Sequence, residues 1–435
     1  MDFRTLPDPK LFDGRPITLG NLTIPACLLG QPGGLIKTDL SIEKGLITDT
    51  TGFLVDMQGA MVFPAFIDMH THLDKGHIWA RSSNPDGTFS GALEAVRADR
   101  STHWTAGDIR RRMDFSLRCA YAHGTRAIRT HLDSTGPQGP ISWATFREVR
   151  TEWSDRIALQ AVCLVPIDAV PANQGDENEA AFIALADIVA ESGGVLGAVT
   201  FPDPKLRKRL HQFFEIAAAR GLAADFHTDE TGDPGVTTLR SVAETVLETG
   251  FEAPVTVGHC CSLAKQSEAD AGHTLDLVSK AGLHVVSLPM CNLYLQARNA
   301  GKTPSWRGIT LVHEMKASGI NVAFASDNTR DPFYAYGDLD MLEVMREATR
   351  ISHLDHSDDN WTEAFLNNPA RATGFAIPSL DAGSPADLVI CKARSWTELF
   401  ARPQADRIVL RAGQQINRSL PDYAELDDLM AKTVD

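Results

Sequence analysis

Histidines and acids that stand where strand-like segments end are the residues of this sequence best suited to do chemistry. His70 and His72 end the apolar run MVFPAFIDMHTH. Alternate side chains on a strand share one face, so both imidazoles can bind the same metal ion. An HxH pair alone is a weak signal, because it also arises by chance on protein surfaces.

Three further polar residues end strand-like runs much later in the chain. They are His227 in DFHTDE, His259 in VGHC and Asp327 in FASDN. In a barrel of parallel strands the carboxyl ends meet at one mouth, where catalytic groups collect. Together with the HxH pair, these residues predict a metal centre assembled from distant parts of the sequence.

The elements that must position these residues follow a regular alternation. Eight apolar, strand-like runs lie between Val62 and Pro332, and most of them are followed by a helical pattern. Near-continuous apolar runs are typical of parallel strands that are buried on both faces. The alternation predicts an α/β fold, with a metal-dependent (β/α)8 TIM barrel over residues 64–376.

Both ends of the chain depart from the barrel pattern. Residues 1–63 and 377–435 hold short β-like pieces separated by turn signals, such as PITLGNLTIPACLLG and RIVLRAGQQIN. We expect the two segments to pair into one small flanking β-sandwich domain.

Composition bounds the partners and the cellular setting. The 41 basic and 56 acidic residues give a formal net charge of −15, which disfavours contact with the phosphate backbone of nucleic acids. No apolar stretch approaches the ~20 residues of a membrane span, and the N-terminus lacks the pattern of a signal peptide. The seven dispersed cysteines include no CxxC pair, as is typical of reduced thiols. We expect a cytoplasmic protein that binds neither nucleic acid nor membrane.

The segments that carry the candidate residues resemble those of the amidohydrolase superfamily, with the cytosine deaminases as the nearest branch. The resemblance rests on FPAFIDMHTHLDKG, RTHLD, DFHTDE, VGHC and FASDNTRDP. It continues through NLYLQAR, RGITLVHEMKASGIN, DPFYAYG, NNPARATG and AGSPADLVI, and so covers nearly the whole chain.

The resemblance implies a role for each residue of the predicted centre. One divalent metal ion, Zn²⁺ or Fe²⁺, would be bound by imidazole and carboxylate ligands, namely His70, His72, His227 and Asp327. Glu230 matches the family's proton-shuttling glutamate, and His259 matches the histidine that orients the attacking water. Asp327 would also accept the proton of that water. The fourth strand ends without a lysine that could bridge a second ion, which favours a mononuclear site.

The activity implied by the resemblance is hydrolytic deamination of a small nitrogen heterocycle, either cytosine or a substituted cytosine-like ring. A metal-bound hydroxide would attack the ring carbon that bears the amine, and ammonia would leave. The resemblance also implies a homo-oligomer.

Three residues are candidates for contact with the substrate. Ile167 stands where cytosine deaminases carry a glutamine, and Asn328 replaces the second of two aspartates. Phe333 is at a position where the family often places an aromatic ring against the substrate. Isoleucine cannot make the hydrogen bonds of glutamine, so the pocket favours an alkylated or otherwise substituted ring.

Two other functions remain open. The segment SDNTRD also resembles aminohydrolases that remove an alkylamine from a triazine-type ring, and opening of a cyclic amide is a related possibility. A non-catalytic metal-binding barrel is a third class, which the complete set of predicted ligands and the proton shuttle disfavours.

The remaining polar residues near these motifs carry weaker expectations. Asp229 is expected to be a solvated loop carboxylate, and His77 and His123 are expected at the surface. His131, at the end of the second strand, fits either an approach to the pocket or a hydrogen-bonded structural role. Lys75 lies just after the first strand and receives no role.

Overall fold

The structure, a computed structural model, describes residues 6, 15–356 and 360–431. The strands are β1 (Ile17–Pro25), β2 (Leu35–Glu43), β3 (Leu46–Thr48), β4 (Phe53–Asp56), β5 (Met61–Pro64), β6 (Phe66–Thr71), β7 (Thr125–Asp133), β8 (Ala158–Leu164), β9 (Leu196–Val199), β10 (Ala224–Thr228), β11 (Val255–His259), β12 (His284–Ser287), β13 (Asn321–Phe324), β14 (Leu388–Cys391), β15 (Ile408–Arg411) and β16 (Gln414–Gln415). The α-helices are α1 (Phe89–His103), α2 (Ala106–His123), α3 (Gln138–Trp153), α4 (Glu179–Glu191), α5 (Leu206–Ala218), α6 (Thr238–Thr249), α7 (Glu268–Lys280), α8 (Pro289–Leu295), α9 (Val312–Ala317), α10 (Met341–Ser352), α11 (Asn367–Thr373), α12 (Trp396–Ala401) and α13 (Asp427–Met430).

The strands that carry the candidate residues lie in two sheets. One is parallel throughout, in the order β13-β12-β11-β10-β9, and the other has the order β6-β7-β8. Three parallel bridges join the sheets: Val162 with Val195, Pro166 with Val199, and Thr71 with Asp327. Each of the eight predicted runs contains one of these strands, which confirms an α/β fold with parallel strands.

Burial explains why these runs read as continuously apolar. Every residue of β6, β10 and β11 is buried, as expected for parallel strands that are covered on both faces. The first run is nevertheless divided, because β5 ends at Pro64 and β6 starts at Phe66. A proline cannot donate a main-chain hydrogen bond, so it is well placed at the end of a strand.

The helices between these strands bury one apolar face each. In α5 the buried residues include Leu206, Leu210 and Phe213, which recur at helical spacing. The helix α6 ends before Gly250, whose φ of 62° lies in the left-handed region that glycine adopts without strain.

The strands near the two ends of the chain belong to one sheet. Its order is β16-β15-β14-β5-β1-β2-β3, with β4 paired to β1. The predicted pairing of N- and C-terminal β segments is therefore present, whereas their arrangement as a sandwich stays a prediction.

In the same part of the chain, the buried Arg407 donates to Oδ1 of Asp340 at 2.7 Å, and Asp340 also caps the N-terminus of α10.

The described chain separates into two compact units. One comprises the described residues up to Asp68, together with Arg118–Ala127 and Leu339–Pro421. The other comprises Met69–Leu117, Ile128–Asp338 and the described residues from Asp422 onward, and it contains all the candidate site residues. In the described ranges, no helix combines the length and the apolar character that a membrane span requires.

Candidate active site

Four histidines from three strands converge in the second unit. His70 lies on β6 and His72 directly follows that strand, while His227 lies on β10 and His259 ends β11. The ring centroid of His70 is 4.6 Å from that of His227 and 5.6 Å from that of His259. All four residues are buried. The structure thus brings together histidines that the sequence places almost 200 residues apart.

Asp327 completes the predicted ligand set. Its Oδ1 is 3.6 Å from Nε2 of His70 and 3.3 Å from Nε2 of His72. Two hydrogen bonds fix the main chain of Asp327. Its amide donates to the His70 carbonyl at 2.9 Å, and Oγ1 of Thr71 donates to its carbonyl at 2.7 Å. The first and last parallel strands are therefore joined at the residues that present the candidate ligands.

The backbone is strained at two of these positions. His259 has a φ of 68° and Asp327 a φ of 64°, a left-handed region that residues with a Cβ rarely adopt. Such conformations are roughly 1–3 kcal/mol unfavourable and concentrate at functional sites, where the surrounding structure enforces them. At both positions the strain aims a polar side chain towards the same cluster.

The chemistry of this donor set fits a divalent cation. Both ring nitrogens of His70 and of His227 are buried and, in the described part of the chain, have no hydrogen-bond partner. Burial lowers the pKa of His70, His72 and His227 well below the ordinary value of a histidine, and the neighbouring histidines and Lys75 lower it further. Neutral imidazoles with available lone pairs are the histidine form that binds Zn²⁺ or Fe²⁺.

His131 packs against the histidine cluster, and its ring is hydrogen-bonded to Asp225. Its ring centroid is 4.0 Å from that of His70, and ligand atoms of His131, His70 and His72 fall within 4.8 Å of one another. However, Nε2 of His131 is 3.1 Å from Oδ1 of Asp225, whose other oxygen accepts from Arg129 at 3.1 Å. The hydrogen bond to Asp225 therefore fits a structural role for His131, although its ring also packs against the candidate ligand His70.

Glu230 stands beside His259 at the edge of the cluster. Its Oε1 is 3.4 Å from Nδ1 of His259, and its main-chain carbonyl accepts from Nε2 of Gln296 at 3.2 Å. Burial and then the charge of Asp327 raise the pKa of Glu230 well above its ordinary value. A carboxyl group with a raised pKa can carry a proton near neutrality, as a proton shuttle must.

Asp229 does not behave as the sequence suggested. The expectation of a solvated carboxylate is wrong, because Asp229 is buried and its Oδ1 accepts at 2.7 Å from the amide of Thr238 and at 2.7 Å from its hydroxyl. An acid in this position satisfies main-chain donors at the start of α6. The neighbouring Glu230 is thus anchored through a helix terminus.

His77 and His123 also correct the sequence-based view. Both are buried rather than on the surface. The ring of His77 packs against Phe115 with centroids 4.8 Å apart, whereas Nδ1 of His123 is 3.6 Å from Oδ2 of Asp340. Each ring has apolar or charged neighbours that only the folded chain supplies.

A cavity of about 600 Å³ opens onto this cluster. Its lining includes His72, His227, Glu230, His259 and Asp327 on the polar side and Val165, Pro166, Phe89 and Phe333 on the apolar side. This combination of mostly apolar walls and a few convergent polar groups is typical of a small-molecule site.

The predicted substrate contacts separate into two groups. Asn328 and Phe333 line the cavity, and both are tied to Asp331, through a side-chain amide at 2.8 Å and a main-chain amide at 2.8 Å. Ile167 is fully buried in a short 3₁₀ turn and is not among the described residues that line the cavity. Its contact with a substrate therefore stays a prediction that the geometry does not favour.

Two polar residues of the site received no role from the sequence. Lys75 lines the cavity, with Nζ 3.8 Å from Oδ1 of Asp133. Asn292, on α8, places its amide nitrogen 3.0 Å from Nδ1 of His259. The available signals were their positions inside the segments HTHLDKG and NLYLQAR, since a polar residue inside a family-like motif is a candidate for the site.

The family model for the amidohydrolase family matches residues 54–162 and 164–416. The chain belongs to the amidohydrolase family. The membership that the sequence motifs indicated is thereby confirmed.

Two curated relatives differ greatly in their similarity to the chain. It is 53% identical over 426 residues to a pterin deaminase of Rhizobium rhizogenes (strain K84), a match that covers 95% of this chain and 96% of the relative. It is 24% identical over 378 residues to the N-isopropylammelide isopropyl amidohydrolase of Pseudomonas sp. (strain ADP), covering 83% and 86% of the two chains.

A solved structure with the same fold is the 5-methylcytosine deaminase from Klebsiella pneumoniae liganded with 5-fluorocytosine. The TM-score is 0.77 at 24% sequence identity, and the match covers 94% of this chain and 98% of that one. At this identity the likeness describes the fold rather than the substrate.

Proposed function

We propose that this protein is a metal-dependent aminohydrolase that removes the exocyclic amine of a pterin and releases ammonia. The observation that carries the proposal is the 53% identity with a pterin deaminase over 95% of the chain. The sequence motifs alone pointed to cytosine or a substituted cytosine-like ring. A pterin also carries an exocyclic amine on a carbon of a pyrimidinone ring, in this case a guanidine-type carbon between two ring nitrogens, and its pyrimidinone is fused to a second ring.

The cavity supports a bicyclic substrate. Its volume of about 600 Å³ lies within the range of roughly 300–1,000 Å³ that is usual for ligand sites. Phe333 and Phe89 meet edge to face, with centroids 5.4 Å apart, and both line the cavity. A flat heteroaromatic ring can pack against such an aromatic wall.

We propose His70, His72, His227 and Asp327 as the ligands of one divalent ion per subunit, Zn²⁺ or Fe²⁺. The unpartnered buried nitrogens of His70 and His227 in the described chain support this assignment. Such an ion lowers the pKa of bound water to about 7 and so makes hydroxide available at neutral pH.

The remaining site residues move or hold protons. Glu230 would protonate a ring nitrogen next to the amine-bearing carbon. One proton of the attacking water, taken up by Asp327, would pass to the leaving amine, and the second, lost from the hydroxyl group as the carbonyl forms, would return to Glu230. Asp327 would accept the proton of the attacking water, and His259 would donate a hydrogen bond that orients it. Groups of this kind typically contribute about 10²–10⁴-fold each.

The arrangement of the chain belongs to the same proposal. We propose that β6–β13 close into an eight-stranded barrel within residues 64–376 and that residues 1–63 and 377–435 form a small β domain. The protein is proposed to act in the cytoplasm as a homo-oligomer without nucleic-acid or membrane partners.

The proposal is tested by measuring product formation from a panel of rings. The metal-loaded protein is incubated with pterin, cytosine, 5-methylcytosine and N-isopropylammelide, and ammonia and isopropylamine are quantified. We expect ammonia and the 2,4-dioxo product from pterin, with kcat/KM at least 10-fold above that for the other rings. Isopropylamine from N-isopropylammelide, or ammonia from the cytosines with none from pterin, would overturn it.

A further inference from the structure

Lys75 is a buried, charged donor in the cavity that the proposed chemistry does not use. Its side chain is only 6% exposed, yet it lines the cavity that also contains Glu230 and Asp327. An ammonium group has three donors and no acceptor. Burying such a group is unfavourable unless its donors find acceptors.

Its neighbours within the protein do not satisfy it. Oδ1 of Asp133 is 3.8 Å from Nζ, beyond the usual range of about 2.7–3.2 Å, and the other oxygen of Asp133 accepts from Arg100 at 3.1 Å. Nζ also lies 5.0 Å from the ring centroid of Phe333. No acceptor in the described part of the chain is within hydrogen-bond distance of Nζ.

The group remains a cation despite its burial. Burial alone would lower the pKa of Lys75, but the nearby carboxylates of Asp133 and Asp331 outweigh it and raise the pKa above its ordinary value. Lys75 therefore offers hydrogen-bond donors, and only donors, to whatever enters the cavity. The complementary ligand group is a hydrogen-bond acceptor, such as a ring oxo oxygen.

Phe333, which lies close to Lys75, indicates where such an acceptor would be bound. Nζ of Lys75 lies 5.0 Å from the ring centroid of Phe333, and both residues line the cavity. A flat ring that packed against Phe333 would therefore bring its edge near the ammonium group. With the amine-bearing carbon at the proposed metal centre, the oxo oxygen on the same pyrimidinone ring is a hydrogen-bond acceptor available to Lys75.

We propose that Lys75 donates a hydrogen bond to the ring oxo oxygen of the substrate and thereby selects 2-amino-4-oxo rings. The inference rests on the proposed pterin deaminase function and names the group that recognises the substrate. Lys75 is a specificity-determining residue in this view, and Asp133 positions it.

The test compares the affinities of two proteins for two ligands. Binding of pterin and of 2-aminopteridine, which lacks the oxo group, is measured by fluorescence titration. The two proteins are metal-loaded Glu230→Gln, which should not consume the ligand during the titration, and the same protein with Lys75→Met added. We expect Lys75→Met to weaken the binding of pterin about 10- to 100-fold and that of 2-aminopteridine less than about 3-fold. Lys205→Met, which makes the same change at an exposed position, should leave both affinities unchanged.

The outcomes separate this inference from the proposed function. Equal weakening of the binding of both ligands by Lys75→Met means a merely structural role and overturns the inference, as does a Glu230→Gln protein that binds neither ligand. A wild type that binds pterin without releasing ammonia contradicts the function and leaves the Lys75 comparison readable. If Lys75→Met does not fold, Lys75→Leu takes its place, with the same selective loss expected because leucine has no donor either.

Discussion

The amide nitrogen of Asn292 lies 3.0 Å from Nδ1 of His259. An amide nitrogen can only donate, so Nδ1 accepts and the proton of a neutral imidazole is on Nε2. Burial, and then the nearby His131, lowers the pKa of His259 to about 3, which keeps the ring neutral. Asn292 thus favours the tautomer that carries the proton on Nε2, which is buried and without a hydrogen-bond partner in the described chain.

We expect substitutions of Asn292 to reduce turnover in proportion to their effect on this tautomer. Asn292→Leu removes the donor and should lower kcat about 10-fold. Asn292→Asp replaces it by an acceptor that draws the proton to Nδ1, and kcat should fall about 100-fold or more, because a histidine in the wrong tautomer cannot play its part. Steady-state kinetics with metal analysis tests this, and a wild-type kcat for Asn292→Asp would refute it.

Glu230→Gln should abolish turnover without loss of the metal ion. The amide cannot carry the proton, and we expect kcat to fall about 10²–10⁴-fold while the metal content stays at the wild-type value. Ammonia release and elemental analysis provide the two readouts. Glu252→Gln makes the same change at an exposed residue and should be neutral. Unchanged turnover in Glu230→Gln would remove Glu230 from the mechanism.

His227→Ala should prevent metal binding and the stabilisation that accompanies it. A ligand that binds only the folded state raises Tm, so we expect Zn²⁺ to raise the Tm of the metal-free wild type and not that of the variant. His273→Ala alters an exposed histidine and should respond like the wild type. An equal Tm shift in His227→Ala would contradict the ligand assignment.

The Asp340–Arg407 pair should make stability depend on pH in the acid range. Burial would raise the pKa of Asp340, but the adjacent Arg407 outweighs it and lowers the pKa to about 2, from about 3.9 in the unfolded chain. A lowered pKa stabilises the folded state above pH ~4, and that contribution is lost as the pH falls through about 2.

Asp340→Asn keeps the size of the side chain and removes its charge. We expect it to lower the free energy of unfolding by at least about 2 kcal/mol at pH 7, with the difference from wild type shrinking between pH 4 and 2. Urea unfolding at several pH values measures this difference. Asp276→Asn, at an exposed position, should show none, and a difference in Asp340→Asn that does not vary with pH would argue against the charge as its cause.

The candidate ligands were accessible from the sequence because strand ends carry recognisable signals. His70, His227 and Asp327 each end or follow an apolar run, and the ends of parallel strands meet at one face. Sequence spacing therefore sufficed to predict that these three residues converge. It could not give the positive φ of Asp327, which depends on hydrogen bonds to a strand more than 250 residues away.

The residues that sequence reasoning misjudged depend on local geometry. Asp229 reads as one more loop acid until the start of α6 is seen to place main-chain donors around it. The substrate contact of Ile167 stays a prediction, but the sequence did not reveal the 3₁₀ turn at Ile167–Ala169 that buries this residue fully. Neither the start of α6 around Asp229 nor the 3₁₀ turn at Ile167 has a signature that the sequence alone could supply.

The hydrogen bond from Thr71 to the Asp327 carbonyl connects positions 256 residues apart. Contacts of such high separation form late in folding, because a long loop must close before they become favourable. A ribosome-bound chain that has not yet emerged past its last parallel strand consequently lacks one wall of the centre. The proposed metal site would therefore gain its full set of ligands only after Asp327 has reached Thr71 at the end of β6.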